Sequence, residues 1–216
     1  MPSRTDRLRI AVGTRSAHKL AEIRSILGAR GDIEIVGLDE LGIAATPEED
    51  AVEVFDSFVE NARAKAAFYA ARTGLPTLAD DSGLAVDALG GAPGVRSKRF
   101  SGRTDLSGAA LDRANIELLL GRLADVPDER RGAHFVCVAA LALPDGGSLA
   151  AIGTVAGRIA PAPRGTGGFG YDPLFLLPDR GVTFAELSPD EKNRRSHRAR
   201  AFRALAAHLG GLPRGG

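Results

Sequence analysis

The chain has 216 residues, 44% of them hydrophobic and 25% charged, with a formal net charge of +1. These proportions describe a globular chain able to bury a core without disulfide staples, and so small a net charge creates no global field toward nucleic acid or membrane. The single cysteine, Cys137 in HFVCVAALAL, has no intramolecular partner; it reads as a small buried apolar residue rather than a nucleophile, as in a reducing compartment.

The N-terminal MPSRTDRLRIAVG has no apolar core of signal-peptide length, and no run reaches the ~18 apolar residues of a membrane span. The expectation is a soluble cytoplasmic protein. LRIAV (8–12) predicts a buried strand and GTRSAHK (13–19) a loop whose Ser16 caps a helix with Leu20, Ile23 and Leu27 on one face. IEIVGL (33–38) predicts a strand, and the acidic AATPEEDAVEVFD (44–56) an exposed loop. Ser57 and Glu60 form a capping-box pattern for a helix that Gly74 and Pro76 stop.

PTLAD (76–80) and GLAVDAL (83–89) read as two strands, and 107–123 as a helix with Leu111, Ala114, Leu118 and Leu119 inward. AHFVCVAALAL (133–143), PDGG (144–147) and SLAAIGTVAGRI (148–159) read as a hairpin. PRGTGGFGYDP (163–173) is too glycine-rich for regular structure. SPDE (188–191) opens a last helix running to about Leu209, and GGLPRGG (210–216) predicts a disordered tail. Strands and helices interleave, but the hairpin breaks a strict βαβ rhythm. The expectation is one α/β domain over 1–209 with a mixed sheet.

Three stretches carry chemistry. The first loop joins a strand to a helix N-terminus, where backbone N–H groups attract phosphate and Lys19 adds charge; on that stretch alone an ordinary turn is the better reading, and no P-loop pattern is present. In LADDSGL, Asp80 and Asp81 are neighbours, so on a strand they point to opposite faces. One carboxylate can face a site at the strand's carboxyl end while the other is tied into the scaffold. Close carboxylates need compensation, which Mg²⁺ supplies, with Glu53 as a further ligand; a turn with one Asp bonded to backbone is an equal alternative. GTGGFGYD (165–172) offers aromatic rings and Asp172 to a nucleobase. The basic run EKNRRSHRAR (191–200) is by default a solvated helix face, or a surface for a nucleic-acid backbone.

Taken in series along nearly the whole chain, GTRSAHKLAEI, SFVENARAKA, LADDSGLAVDALGGAPGVRSKRFSG, PRGTGGFGYDPLF and AELSPDEKNRRSHRARA closely resemble the inosine triphosphate pyrophosphatase family. The resemblance implies hydrolysis of non-standard purine nucleoside triphosphates (ITP, dITP, XTP) between the α- and β-phosphates, with Mg²⁺. It implies an elongated α/β fold around a long mixed sheet, two lobes with a cleft between them, and a homodimer. By position, Asp81 matches the proton acceptor and a metal ligand, and Glu53 the second metal ligand. Thr14, Arg15, Ser16, Ala17, His18 and Lys19 match the phosphate-cradling loop, Lys65 a further phosphate contact, and Ser82 a substrate contact. Phe169, Gly170, Tyr171 and Asp172 match the base loop; Lys192, His197 and Arg198 match residues that read the base. Two departures stand out: Thr14-Arg15-Ser16 replaces the usual Thr-Gly-Asn, and no Thr-Gly comes after Glu53. The competing readings are a pyrophosphatase for other modified nucleotides and a non-catalytic nucleotide- or RNA-binding module. The small net charge and the Asp80–Asp81 pair weigh against the latter.

Overall fold

The computed structural model describes residues 7–28 and 31–209, so the expected tail at 210–216 lies outside the described residues. In chain order the elements are β1 (Leu8–Val12), α1 (Ala17–Leu27), β2 (Ile33–Gly37), α2 (Phe58–Thr73), β3 (Thr77–Val86) and α3 (Gly108–Arg122). They continue with β4 (Gly132–Ala142), β5 (Ser148–Ile159), β6 (Phe175–Leu177), β7 (Val182–Thr183), α4 (Pro189–Arg195) and α5 (His197–Leu209). The strands hydrogen-bond in the order β2-β1-β3-β4-β5-β6-β7. β1 runs parallel to β2 and β3, while β6 is antiparallel to β5 and β7. This is the expected mixed sheet flanked by helices.

The described residues fold into two compact units. The first comprises those up to Asp81, Cys137–Gly153 and those from Arg198 on; the second comprises Ser82–Val136 and Thr154–His197. In the first unit, β4 alternates with period two and is buried on both faces. Cys137, Ala139 and Leu141 join Ile10, Val12, Ile23, Leu78, Phe202 and Leu205. Val138, Ala140 and Ala142 instead meet Ala62, Ala66 and Ala70 of α2, together with Ala79. Side chains this small let a helix lie close to the sheet, and strands buried on both sides read as near-continuous apolar runs. Truncating Phe202, which is fully buried, would cost about 3–5 kcal/mol. The second unit has its own core, in which Phe135, Phe175 and Phe184 pack with ring centroids 4.3–5.7 Å apart.

Four expectations are corrected. The two strands read around the acid pair are one strand, β3, and Asp80 and Asp81 lie inside it rather than at its carboxyl end. Beyond Val86 the chain forms a single 3-10 turn, Asp87–Leu89. The last helix is two: Ser196 is extended (φ −64°, ψ 156°) and separates α4 from α5. On α3, Asn115, Ile116 and Leu119 are the buried residues, with Leu111, Ala114 and Leu118 only half-buried.

Candidate active site

The turn after β1 is built for close approach. A Cβ at Gly13 would lie 2.6 Å from the Tyr69 ring, so only glycine fits. Thr14 Oγ1 accepts from the Ser16 N–H at 3.2 Å, and Ser16 Oγ accepts from the Lys19 N–H at 3.3 Å, capping α1. Ala17 and His18 are exposed in the first helical turn. What this turn offers an anion is therefore backbone N–H groups and the Lys19 ammonium. Arg15 is directed elsewhere. Its guanidinium donates to both oxygens of Glu49, at 3.1 and 2.7 Å, to Asp39 and to the Ile43 carbonyl.

Strand alternation divides the two acids. Asp80 shares the face of Leu78 and meets α1 and α5; Asp81 shares the face of Ala79 and meets α2. Asp80 Oδ2 accepts from Arg198 Nε and Nη2 at 3.3 and 3.1 Å and lies 3.1 Å from Lys19 Nζ. Arg198 also donates to Glu22. Asp80 Oδ1 is buried with no hydrogen-bond partner among the described residues. Burial pushes the Asp80 carboxyl up, but Lys19, Arg198 and Lys65 together more than reverse this and hold it well below the usual carboxylate range. Burial also pushes the Lys19 ammonium down against the pull of Asp80, and pushes the thiol of Cys137 well up; Cys137 is buried, as the sequence implies.

Asp81 is in the opposite state. Burial raises its carboxyl above the ordinary value, the hydrogen bond from Asn61 opposes this, and the charge of Glu53 adds to it. Asn61 Nδ2 donates to Asp81 Oδ2 at 2.9 Å and to the Phe55 carbonyl at 3.0 Å, while its Oδ1 accepts from the Phe55 N–H at 2.9 Å. One turn along α2, Lys65 pairs with Glu53. Burial lowers the Lys65 ammonium, but Glu53 and Asp80 outweigh that and raise it.

The charge of Glu53 thus acts against ionisation of Asp81, an effect that a divalent cation would relieve. Among the described residues no group of three or more His, Cys, Asp or Glu side chains could hold a metal. Mg²⁺ asks for one or two carboxylates and takes water and phosphate oxygens for the rest, so this donor pair fits it.

The second unit holds the predicted base loop. Asp172 Oδ2 accepts from the Phe169 N–H at 2.8 Å and from Lys192 Nζ at 2.7 Å. Lys192 in turn sits 4.6 Å from the centroid of the half-buried Phe169 ring. Asp112 of α3 accepts from the Gly170 N–H at 2.9 Å. Gly168, at φ +73°, presses so closely on Asp172 that no side chain fits there. His197 stacks on Phe135 at 4.7 Å.

Of the residues expected at the site, Lys65 pairs with Glu53, Lys19 pairs with Asp80, and the charges of Glu53, Lys19 and Lys65 all act on Asp81. Three residues stand otherwise than expected. Tyr171 is a core residue whose hydroxyl donates to the Ser97 carbonyl, whereas the Phe169 ring of the same loop is half-buried. Arg198 is buried on Asp80 and Glu22, and the side chain of Arg15 is held by Glu49. Ser82 comes directly after Asp81 on β3 and is half-buried. Asn61 was missed. Asparagine is a poor helix former, and its presence in the first turns of an alanine-rich helix, after a complete cap, was the available signal.

A sequence model described as the Ham1 family matches residues 10–208. A protein of Streptomyces coelicolor named dITP/XTP pyrophosphatase is 48% identical over 198 residues, covering 91% of this chain and 94% of that protein. One of Nocardia farcinica with the same name is 51% identical over 207 residues, covering 94% and 96%. A solved structure of a HAM1 protein from Coxiella burnetii superposes with a TM-score of 0.80 at 39% identity, over 95% of this chain and all of that one.

Proposed function

The chain belongs to the Ham1 family, and from that premise we propose that it hydrolyses ITP, dITP and XTP to the nucleoside monophosphate and pyrophosphate, clearing such nucleotides from the pool. Residues 1–209 act as one catalytic domain. The observation that carries this reading is the division of the β3 acids: Asp80 is paired with Lys19 and Arg198, while Asp81, on the other face, is held by Asn61 and has its carboxyl raised above the ordinary value. The names of the relatives from Streptomyces coelicolor and Nocardia farcinica support the substrate class.

The triphosphate is the ligand for the N–H groups of Thr14 to Lys19 and for the Lys19 and Lys65 ammonium groups. Glu53 and Asp81 would hold Mg²⁺, which when bound offsets charge on the phosphate oxygens and the leaving pyrophosphate. An Asp81 oxygen orients the attacking water and takes its proton. The bond from the α-phosphorus to the α,β-bridging oxygen breaks, and the electron pair leaves with pyrophosphate. Lys19, close to that developing charge, stabilises it without reorganisation.

The purine is the ligand for the Phe169 ring and for Lys192, His197 and the loop's backbone. Hypoxanthine and xanthine carry an oxygen at the 6-position where adenine carries an amino group, so donors aimed there favour them. A site built around such a hydrogen bond discriminates by ~10⁴ or more. Arg198 serves the site through Asp80 rather than through the base. The free, buried Cys137 supports a cytoplasmic location. Among the described residues no helix is long and apolar enough to cross a membrane, and the reading involves no membrane or nucleic-acid partner. Exposed Leu149 and Ile152 on β5 support a homodimer, which light scattering tests.

The activity is tested by pyrophosphate release from ITP, dITP, XTP, ATP, GTP and dTTP with Mg²⁺. Release from the first three, at one pyrophosphate per nucleotide consumed, is expected. Release confined to dTTP or the standard purines rejects the substrate class, and orthophosphate as the primary product rejects the bond cleaved.

A further inference from the structure

Arg15 occupies the turn assigned to the triphosphate, yet its side chain is engaged with protein on every edge. Nε and Nη2 form a two-pronged pair with Glu49, and Nη1 donates to Asp39 at 3.1 Å and to the Ile43 carbonyl at 2.8 Å. Asp39 is almost fully exposed, so its pair contributes little. Glu49 has only 15% of its side chain exposed, and the paired geometry is of the strong, orientation-specific kind.

All three partners lie on one segment, between β2 and α2. That segment is held from its other side as well. Arg72 of α2 donates to Thr46 Oγ1 at 2.8 Å and to the Ala44 carbonyl at 3.0 Å. Thr46 and Glu49 form a reciprocal cap on the turn Pro47–Ala51. The Tyr69 ring fills the space a Cβ at Gly13 would need, and its hydroxyl helps Arg15 hold the Glu49 carboxyl down. Glu53 lies four residues beyond Glu49, and Asn61 fixes Phe55 just past it.

We propose that Arg15 is a positioning residue: its pair with Glu49 fixes the segment bearing Glu53 against the turn bearing Lys19, and its side chain does not touch the nucleotide. This gives a physical reason for arginine in a turn where a short residue would suffice to cradle phosphate. It rests on the assignment of Glu53 to magnesium and Lys19 to phosphate. Lysine cannot replace arginine here, because one ammonium cannot make both bonds in plane.

The test compares Arg15→Ala, Arg15→Lys, Glu49→Gln and the Arg15→Ala/Glu49→Gln double variant. Two readings are taken: steady-state hydrolysis of dITP across a magnesium titration, and amide hydrogen exchange in residues 39–53 without nucleotide or metal. Arg15→Ala and Glu49→Gln are each expected to lose about tenfold in kcat/KM, mainly as a higher magnesium requirement, and the double variant to lose no more than the worse single. Arg15→Lys recovers less than half of the loss, and exchange in 39–53 accelerates in all four. Loss of nucleotide affinity in Arg15→Ala with Glu49→Gln unchanged or tighter puts Arg15 on the phosphates and overturns the proposal; so do additive losses. If wild-type protein releases no pyrophosphate from dITP, the functional reading fails, and the exchange experiment still decides the clamp: unchanged exchange in Glu49→Gln, an isosteric variant, rejects it.

Discussion

The charge cluster on β3 and the loop around Phe169 are each built on a buried aspartate paired with a lysine, yet they present different things. Asp80 takes Lys19 and Arg198, and its neighbour on the other face, Asp81, is left with a raised carboxyl beside Glu53. Asp172 takes Lys192 and the Phe169 N–H, and what it leaves in position is an aromatic ring with a cation against it. In the proposed reaction the first arrangement would handle protons and phosphate charge, and the second would offer a flat apolar face to a base. In both, one buried carboxylate is committed to the scaffold.

If that division is right, damage to the first region lowers turnover without altering choice of base, and damage to the second does the reverse. Asp81→Asn should lower kcat about a thousandfold for every triphosphate, with ratios among nucleotides unchanged. A carboxyl raised in the folded state favours folding only at pH below its unfolded value and opposes it as pH rises through the folded value. The Asp81→Asn protein should therefore melt no lower than wild type at neutral pH, as calorimetry can check.

Arg198→Ala attacks the scaffold half of the same cluster. It leaves Asp80 and Glu22 without their guanidinium and should cost about 3–5 kcal/mol in denaturant unfolding. A loss below about 1 kcal/mol would show the network to be decorative. Phe169→Ala should weaken binding of the monophosphate products by about tenfold, from lost stacking on the base, while pyrophosphate binding is untouched.

The smallest effect concerns the Glu49 clamp. Arg15 holds this carboxyl down from 4.5 to about 2. Its stabilisation is complete above the unfolded value and is lost as pH falls toward the folded one. The melting difference between wild type and Glu49→Gln should shrink between about 4.5 and about 2, and a difference that grows there would reverse the assignment.

Much of this was legible in the sequence because it is local. The caps of Ser16, Ser57 and Ser188 all form, as do the strands at 8–12 and 33–37 and the hairpin elements β4 and β5. β3 was misread because Ser82-Gly83 has turn composition, whereas a strand buried on both faces tolerates glycine when its neighbours pack. β6 and β7 have three and two residues, too few to carry a period. The break at Ser196 has no proline or glycine to announce it. The roles of Arg198, Tyr171 and Arg15 depend on partners 118, 74 and 34 residues away, a distance at which residue type gives no guide. Opposite faces for Asp80 and Asp81 needed only strand geometry, and that expectation held.

The most direct test is the ratio of kcat/KM for ITP over ATP, measured with Mg²⁺ for wild type, Lys19→Ala and Lys192→Met. A high ratio in wild type is expected. Lys19→Ala should keep it while both rates fall by about a hundredfold, and Lys192→Met, which removes a donor assigned to the base, should bring it down by about tenfold. A wild type without preference for ITP, or a ratio that collapses in Lys19→Ala and survives in Lys192→Met, would contradict the division of labour between the two regions.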